Sequence, residues 1–255
     1  MNRYSDLPRR CIIASPFSNK PISSYGILVI ARETNRCLLV QGNYSLGLSY
    51  LMHGYYKPVH FEAISSYLTK EEVYFLQKLV SLPKLEGIKL FNQKYLEMCG
   101  SLPSSVNAYQ RLTDIKQDIL DIDYESALDS PLFGIPKGKK LHMEKYEDAA
   151  KREFNEETGF NIKSLDKAKL IKYRTPGITG IDYELNCWLY VVDKEFELDD
   201  SRIKDKREIS RCEWVEIPRT GDSFIEGEFH KGKVGNQTVS IDNQTVVIIN
   251  KYYYN

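Results

Sequence analysis

Three carboxylates set the chemical problem in this sequence. Glu153, Glu156 and Glu157 lie in Gly138–Phe160, GKKLHMEKYEDAAKREFNEETGF. They fall at i, i+3 and i+4, so on a helix they share one face. Like charges at that spacing repel by about 0.2–0.5 kcal/mol per pair. A surface helix would interleave lysines on the stripe, and this stripe has none. A strongly cationic species over it explains the arrangement, and a divalent metal ion is the obvious candidate. The competing reading is an acidic surface helix with an Arg152 salt bridge. Such a helix has no need of glycines at both ends, Gly138 and Gly159.

The rest of the chain bounds what can surround such a site. Its 255 residues, 42% hydrophobic and 27% charged, are those of an ordinary globular chain of one or two domains. Lysine plus arginine and aspartate plus glutamate both number 35. No global basic charge advertises nucleic acid, although a local groove can still be basic. Candidate clusters are Lys137, Lys139 and Lys140, then Lys167, Lys169, Lys172 and Arg174, then Arg202, Lys204, Lys206 and Arg207. The last two are more often just solvated faces, whereas the first precedes the carboxylate helix and could meet phosphates.

The five cysteines show no CxxC and an odd count, which favours thiols in a reducing compartment over a disulfide framework. The four histidines form no HExxH pair, so zinc is not expected. There is no charged-then-apolar leader and no apolar run near about eighteen residues, so no membrane association is expected and the cytoplasm is the default. The sequons at Asn43, Asn236 and Asn243 are then chance.

Elements that could position the carboxylates are legible on both sides. Residues 1–23 read as a loose arm or short edge strand. Tyr25–Ala31 and Cys37–Gln41 flank a turn signal and predict a hairpin of buried strands. From Tyr44 the pattern turns helical. Thr69 and Glu72 form a capping box, and Val73, Phe75, Leu76, Leu79 and Val80 recur at helical spacing. Ile88–Cys99 and Val106–Leu120 read as further helices, interrupted at Ser101–Ser105. Strands return at Leu132–Ile135, Lys169–Arg174, Tyr183–Val192 and Ile209–Ile217. In Tyr183–Val192 the odd positions alternate as the buried ones, with Trp188 as the exception. Phe224–Ser240 is a loop or a short hairpin, and Asn243–Tyr254 is open between helix and strand. The expected divisions are 1–44, an inserted helical domain at 45–130, and 131–255.

The carboxylate stretch also fits a longer pattern: Gly138, Glu144, Arg152-Glu153-Phe154, Glu156-Glu157 and Gly159-Phe160. This resembles the signature of the Nudix hydrolases at nine specified positions. The resemblance implies an α+β fold, an α/β/α sandwich around a mixed sheet. It assigns Glu153, Glu156 and Glu157 to Mg²⁺ or Mn²⁺, and pairs Arg152 with Glu144. Ile135-Pro136-Lys137-Gly138-Lys139 is similar to the lead-in of mRNA-decapping Nudix enzymes. Glu208-Ile209-Ser210-Arg211-Cys212-Glu213-Trp214 is similar to their E-I-x-x-x-x-W segment, which makes Glu208 a fourth acidic candidate; Asp182 and Glu184 are alternatives. The order of Leu38–Gln41, Tyr44-Ser45-Leu46, His53 and a long helical insert resembles decapping Nudix proteins of large cytoplasmic DNA viruses, the African swine fever virus type more than the poxvirus type. Where the poxvirus proteins have an aromatic, Leu46 stands here.

That resemblance implies capped mRNA as partner, with 7-methylguanosine diphosphate and 5′-monophosphate RNA as products. Catalysis would fall to Glu153, Glu157 and Glu208, with Glu157 or Glu153 as general base. Lys137 and Lys139 would meet phosphate or RNA, and a homodimer stays open. Two alternatives remain: a hydrolase of diphosphoinositol polyphosphates or dinucleoside polyphosphates, and an RNA-binding module without turnover.

Overall fold

The structure is a computed structural model describing residues 21–102, 107–217 and 230–254. The arm expected at the N-terminus therefore lies, as far as residue 20, outside the described residues. Contacts divide the chain into two compact units, one built on Tyr44–Pro131 with Gly177–Ile181 and the other on Pro21–Asn43, Leu132–Pro176 and Asp182–Asn255.

The first unit is helical: α1 (Leu46–His53), α2 (Phe61–Ser65), α3 (Lys70–Ser81), α4 (Lys84–Cys99), α5 (Asn107–Asp114) and α6 (Lys116–Leu120). The helical run expected to end at Leu120 is broken at Ile115, whose φ of −109° and ψ of 27° leave the helical region while its side chain stays buried. Leu48, Tyr50, Leu51, Leu76, Leu79, Phe91 and Leu112 form its core. One buried carboxylate ties two helix starts together. Glu72 completes the capping box of α3, with Thr69 Oγ1 accepting the Glu72 N–H and Glu72 Oε2 accepting the Thr69 N–H at 2.9 Å. Its other oxygen accepts the Ser45 N–H at 2.7 Å, at the cap of α1.

The second unit holds the sheet. Its strands are β1 (Ile22–Ala31), β2 (Arg36–Gly42), β3 (Phe133–Gly134), β4 (Lys137–Gly138), β5 (Lys169–Thr175), β6 (Tyr183–Val192), β7 (Ile209–Glu216), β8 (His230–Val234) and β9 (Gln237–Ile241). They run β3-β9-β8-β7-β2-β1-β6-β5, with β4 paired to β1. The β1–β6 and β3–β9 pairs are parallel and the others antiparallel, which makes the sheet mixed. The expected β1–β2 hairpin turns through Asn35, at φ 54°. The strand expected at Leu132–Ile135 shrinks to two residues, and the separate pair at β4 was not foreseen.

Helix α7 (Tyr146–Thr158) covers one face and α8 (Asn243–Tyr252) the other. Along β1, Tyr25, Ile27, Val29 and Ala31 pack with Ala149, Ala150 and Phe154 of α7, whereas Leu28 and Ile30 pack with Val246, Ile248 and Ile249 of α8. Two-sided cover corrects the alternation read for β6: Leu185, Asn186, Cys187, Trp188 and Leu189 are all buried. It also decides the C-terminal segment for helix, capped by Asp242 accepting the Thr245 N–H at 2.6 Å. Cys37, Cys99, Cys187 and Cys212 are buried and outside any disulfide. Among the described residues no helix is long and apolar enough to cross a membrane.

Glu72→Ala strips an acceptor from two backbone N–H groups in a buried setting. It is expected to destabilise the helical unit by about 1–3 kcal/mol in urea unfolding; a change below about 0.5 kcal/mol would contradict the role given to this carboxylate.

Candidate active site

Residues 138–160 run as a short strand, a loop, a helix and a left-handed stop. Gly159 ends α7 at φ 76°, a conformation glycine takes without a Cβ penalty. Gly138 is required for a different reason. A Cβ on it would lie 2.2 Å from Glu153 Oε2, so the carboxylate fills the space that any larger residue would need.

Burial of Ala149, Ala150 and Phe154 against the sheet fixes the rotation of α7, and that rotation carries Glu153 and Glu157 inward. They are only 5% and 1% exposed, and Glu156 is half-buried. Glu157 Oε2 accepts the Lys137 backbone N–H at 3.2 Å, from β4. Burying carboxylates this close together costs several kcal/mol unless charge compensates them. Arg152 supplies compensation. Its Nε donates to Glu144 Oε1 at 2.8 Å and its Nη2 to Glu144 Oε2 at 3.0 Å and to Lys139 O at 2.8 Å. Nη1 donates to Glu153 Oε1 at 2.7 Å and Glu156 Oε2 at 3.0 Å. Burial pulls the guanidinium pKa down, but the Glu144 hydrogen bond and the Glu153 charge outweigh it and raise the pKa above its ordinary value.

The Nη1 nitrogen stands in for a cation here. It bridges two carboxylates that would otherwise repel. Among the described residues no three His, Cys, Asp or Glu side chains already converge as a ligand set. The donors nevertheless fit a hard dication in kind: they are carboxylate oxygens, without the thiolate or imidazole that softer metals select.

Glu208 comes from the loop before β7, and the structure ties that loop to α7. The N–H groups of Lys204 and Asp205 both donate to the carbonyl of Glu156, at 2.9 and 3.1 Å. Asn43 closes the other side. Its N–H donates to Glu208 O at 2.8 Å, and its Nδ2 donates to Lys206 O and Arg207 O at 2.9 Å each. Glu208 is half-buried, not an exposed loop carboxylate. The alternatives are held elsewhere: Asp182 pairs with Arg174 at 2.6 Å, and Glu184 Oε1 accepts from Asn186 Nδ2 at 3.2 Å. Sequence reasoning passed over Asn43 as a chance sequon. Its partners are 163 and 164 residues away, so no local signal could have marked it.

The lysines divide. The Lys137 backbone serves Glu157, whereas its ammonium lies beside Gly134, where a Cβ would stand 3.7 Å from Lys137 Nζ and 2.3 Å from Asp242 Oδ2. The Lys139 carbonyl is an Arg152 acceptor, and Lys140 Nζ donates to Leu141 O at 3.1 Å. Of the other predicted basic positions, Lys169 stands over the Tyr252 ring at 5.6 Å, and Arg174 is taken by Asp182.

Gly138→Ala forces either Glu153 or β4 to move. It is expected to lower unfolding stability by about 1–3 kcal/mol, the usual cost of overpacking. Wild-type stability in the same denaturant titration would show that the contact is relieved freely.

Residues 117–231 match the family model described as NUDIX domain. The match does not reach β1 and β2, which the helical segment separates from the box in sequence. No curated protein matches the chain. Solved structures similar to it include a MutT NUDIX hydrolase from Burkholderia pseudomallei, 13% identical, with 76% of this chain and 82% of that chain covered and a TM-score of 0.35. A MutT/nudix family protein from Enterococcus faecalis is 12% identical, with 94% and 64% covered and a TM-score of 0.43. A bifunctional NMN adenylyltransferase/ADP ribose pyrophosphatase from Francisella tularensis is 14% identical, with 78% and 34% covered and a TM-score of 0.35. The matched residues take in the box at Gly138–Phe160 and part of the mixed sheet, and over that segment the chain is similar to the NUDIX domain.

Proposed function

We propose that the domain hydrolyses the 5′ cap of mRNA in a dication-dependent reaction. The observation that carries the hydrolytic part is the gathering of carboxylates on α7. Glu153 and Glu157 are buried against β4, Glu156 shares the Arg152 guanidinium, and the Glu208 loop hangs on the Glu156 carbonyl. Glu153, Glu156, Glu157 and Glu208 would hold Mg²⁺ or Mn²⁺. Such an ion, when bound, polarises a pyrophosphate oxygen and lowers the pKa of a coordinated water.

The chain's own groups do the rest. Glu157 is the general base of choice: it is the most buried of the carboxylates, and the Lys137 N–H fixes one of its oxygens. Glu153 is the less suited base, because Arg152 holds it. Arg152 holds Glu153 and Glu156 in place through its Nη1. The water oxygen bonds to the phosphorus nearer the RNA, its proton passes to Glu157, and the P–O bond to the leaving diphosphate breaks. The products are 7-methylguanosine diphosphate and 5′-monophosphate RNA. Lys139 is assigned the phosphate contact ahead of Lys137, whose ammonium lies beside Gly134.

The choice of a capped RNA rests on three features: the Ile135–Lys139 lead-in, the Glu208–Trp214 segment, and the helical unit. A compact hydrolase of small diphosphates has no need of a second unit with its own core.

Cap-labelled RNA incubated with Mg²⁺ or Mn²⁺, beside inositol pyrophosphate and diadenosine polyphosphate, separates the readings. Release of methylated guanosine diphosphate is expected, with Glu157→Gln lowering kcat by about 100-fold or more. Brisk turnover of a small substrate without cap release would contradict the proposal, and full activity in Glu157→Gln would remove the base assignment.

A further inference from the structure

The loop between β4 and α7 does more than connect them. Arg152 clamps its start at Lys139 O and its end at Glu144, and Glu144 Oε2 accepts the Leu141 N–H at 2.8 Å. Held this way, the loop turns apolar side chains outward. Met143 is 85% exposed, and its φ of 63° is a conformation that side-chain-bearing residues seldom adopt. Leu141 is exposed as well.

At the end of the loop Tyr146 lies flat on Tyr25, with ring centroids 5.0 Å apart and planes 9° from parallel. Tyr25 is buried, whereas Tyr146 is 59% exposed. One face of the Tyr146 ring is therefore covered and the other is open to water. Basic residues interleave with these groups, Lys139, Lys140, His142 and Lys145, against two exposed acidic residues in the first turn of α7, Glu147 and Asp148, the latter paired with Lys151 at 3.1 Å. Flat aromatic surface flanked by lysines is what a nucleobase and its phosphates require. A lipid surface would be better met by contiguous apolar side chains, and along this loop His142, Glu144 and Lys145 separate Leu141, Met143 and Tyr146.

We propose that the outer face of Tyr146 is a stacking platform for a nucleobase of the RNA, with Lys140 and Lys145 meeting its backbone phosphates. This rests on the reading of the box as an RNA-cap hydrolase. Tyr146 positions the substrate, and the carboxylates behind it cleave.

Binding measured without divalent metal isolates the platform from turnover. Fluorescence anisotropy would follow a labelled single-stranded 12-mer RNA, an abasic 12-mer, and a methylated cap dinucleotide as competitor. Tyr146→Ala is expected to weaken base-containing ligand about tenfold or more, and Tyr146→Phe and Tyr146→Trp to retain affinity. Tyr146→Leu keeps Tyr25 covered but removes the π face, so it should lose affinity as Tyr146→Ala does, with an unchanged circular dichroism spectrum. The abasic 12-mer should bind wild type and Tyr146→Ala alike. Loss on the 12-mer or on the cap competitor names which base stacks.

Equal affinity of wild type and Tyr146→Leu for both base-containing ligands would overturn the proposal, as would an equal loss on the abasic strand. Sedimentation with phosphatidylserine vesicles, dependent on Met143 and Leu141 and without RNA binding, would overturn it in favour of a lipid surface. If the platform is present but cap is not hydrolysed, the substrate reading fails alone. If cap is hydrolysed and Tyr146 is immaterial, the platform fails alone.

Discussion

The structure around the box depends on one guanidinium. Arg152 reaches Glu144, Glu153, Glu156 and the Lys139 carbonyl together, so a single side chain sets the loop, the helix and the carboxylates in register. Planar, delocalised and permanently charged, an arginine can serve several oxygens where a lysine would serve as a point charge. Without it, Glu153 and Glu156 would lose the cation that bridges them and would face each other as like charges. The interaction therefore lets several acidic groups lie close together in a partly buried setting.

Two backbone arrangements extend this order beyond the helix. On one side the closeness of β4 leaves no room for a side chain at residue 138 and lends the Lys137 N–H to Glu157. On the other, Asn43 and the Glu156 carbonyl together hold the 204–208 loop, which brings Glu208 toward the same helix from a distant part of the chain. Asn43 directly follows β2, so the loop is referenced to the sheet as well as to α7. The acidic groups thus sit on a helix backed by a strand edge and on a pinned loop, each fixed by different hydrogen bonds.

Much of this was readable from the sequence where the cause is local. The Thr69–Glu72 box, the left-handed Gly159 and the Asn35 turn depend on residues a few positions apart, and type and spacing suffice to find them, whereas the Arg152–Glu144 pair comes from the family resemblance. What the sequence hid depends on long separations. β4 is two residues long and exists through pairing with β1. Trp188 looked anomalous because burial on both faces of β6 cannot be seen without α7 and α8. Lys137 read as one basic residue, yet its backbone and ammonium serve different surroundings. The Tyr25–Tyr146 stack joins residues far apart, and neither is marked by its neighbours.

We propose that the α7 carboxylates form a dication site held ready by Arg152. Room-temperature electron paramagnetic resonance of Mn²⁺ titrated with protein tests it directly, since the signal of free ion falls as ion is bound. The account predicts saturable Mn²⁺ binding by the wild type and a loss of affinity of about tenfold or more in Glu156→Gln, a ligand exchange that leaves the Arg152–Glu144 pair in place. Undiminished free Mn²⁺ signal at excess protein, or equal affinity in Glu156→Gln, would contradict it.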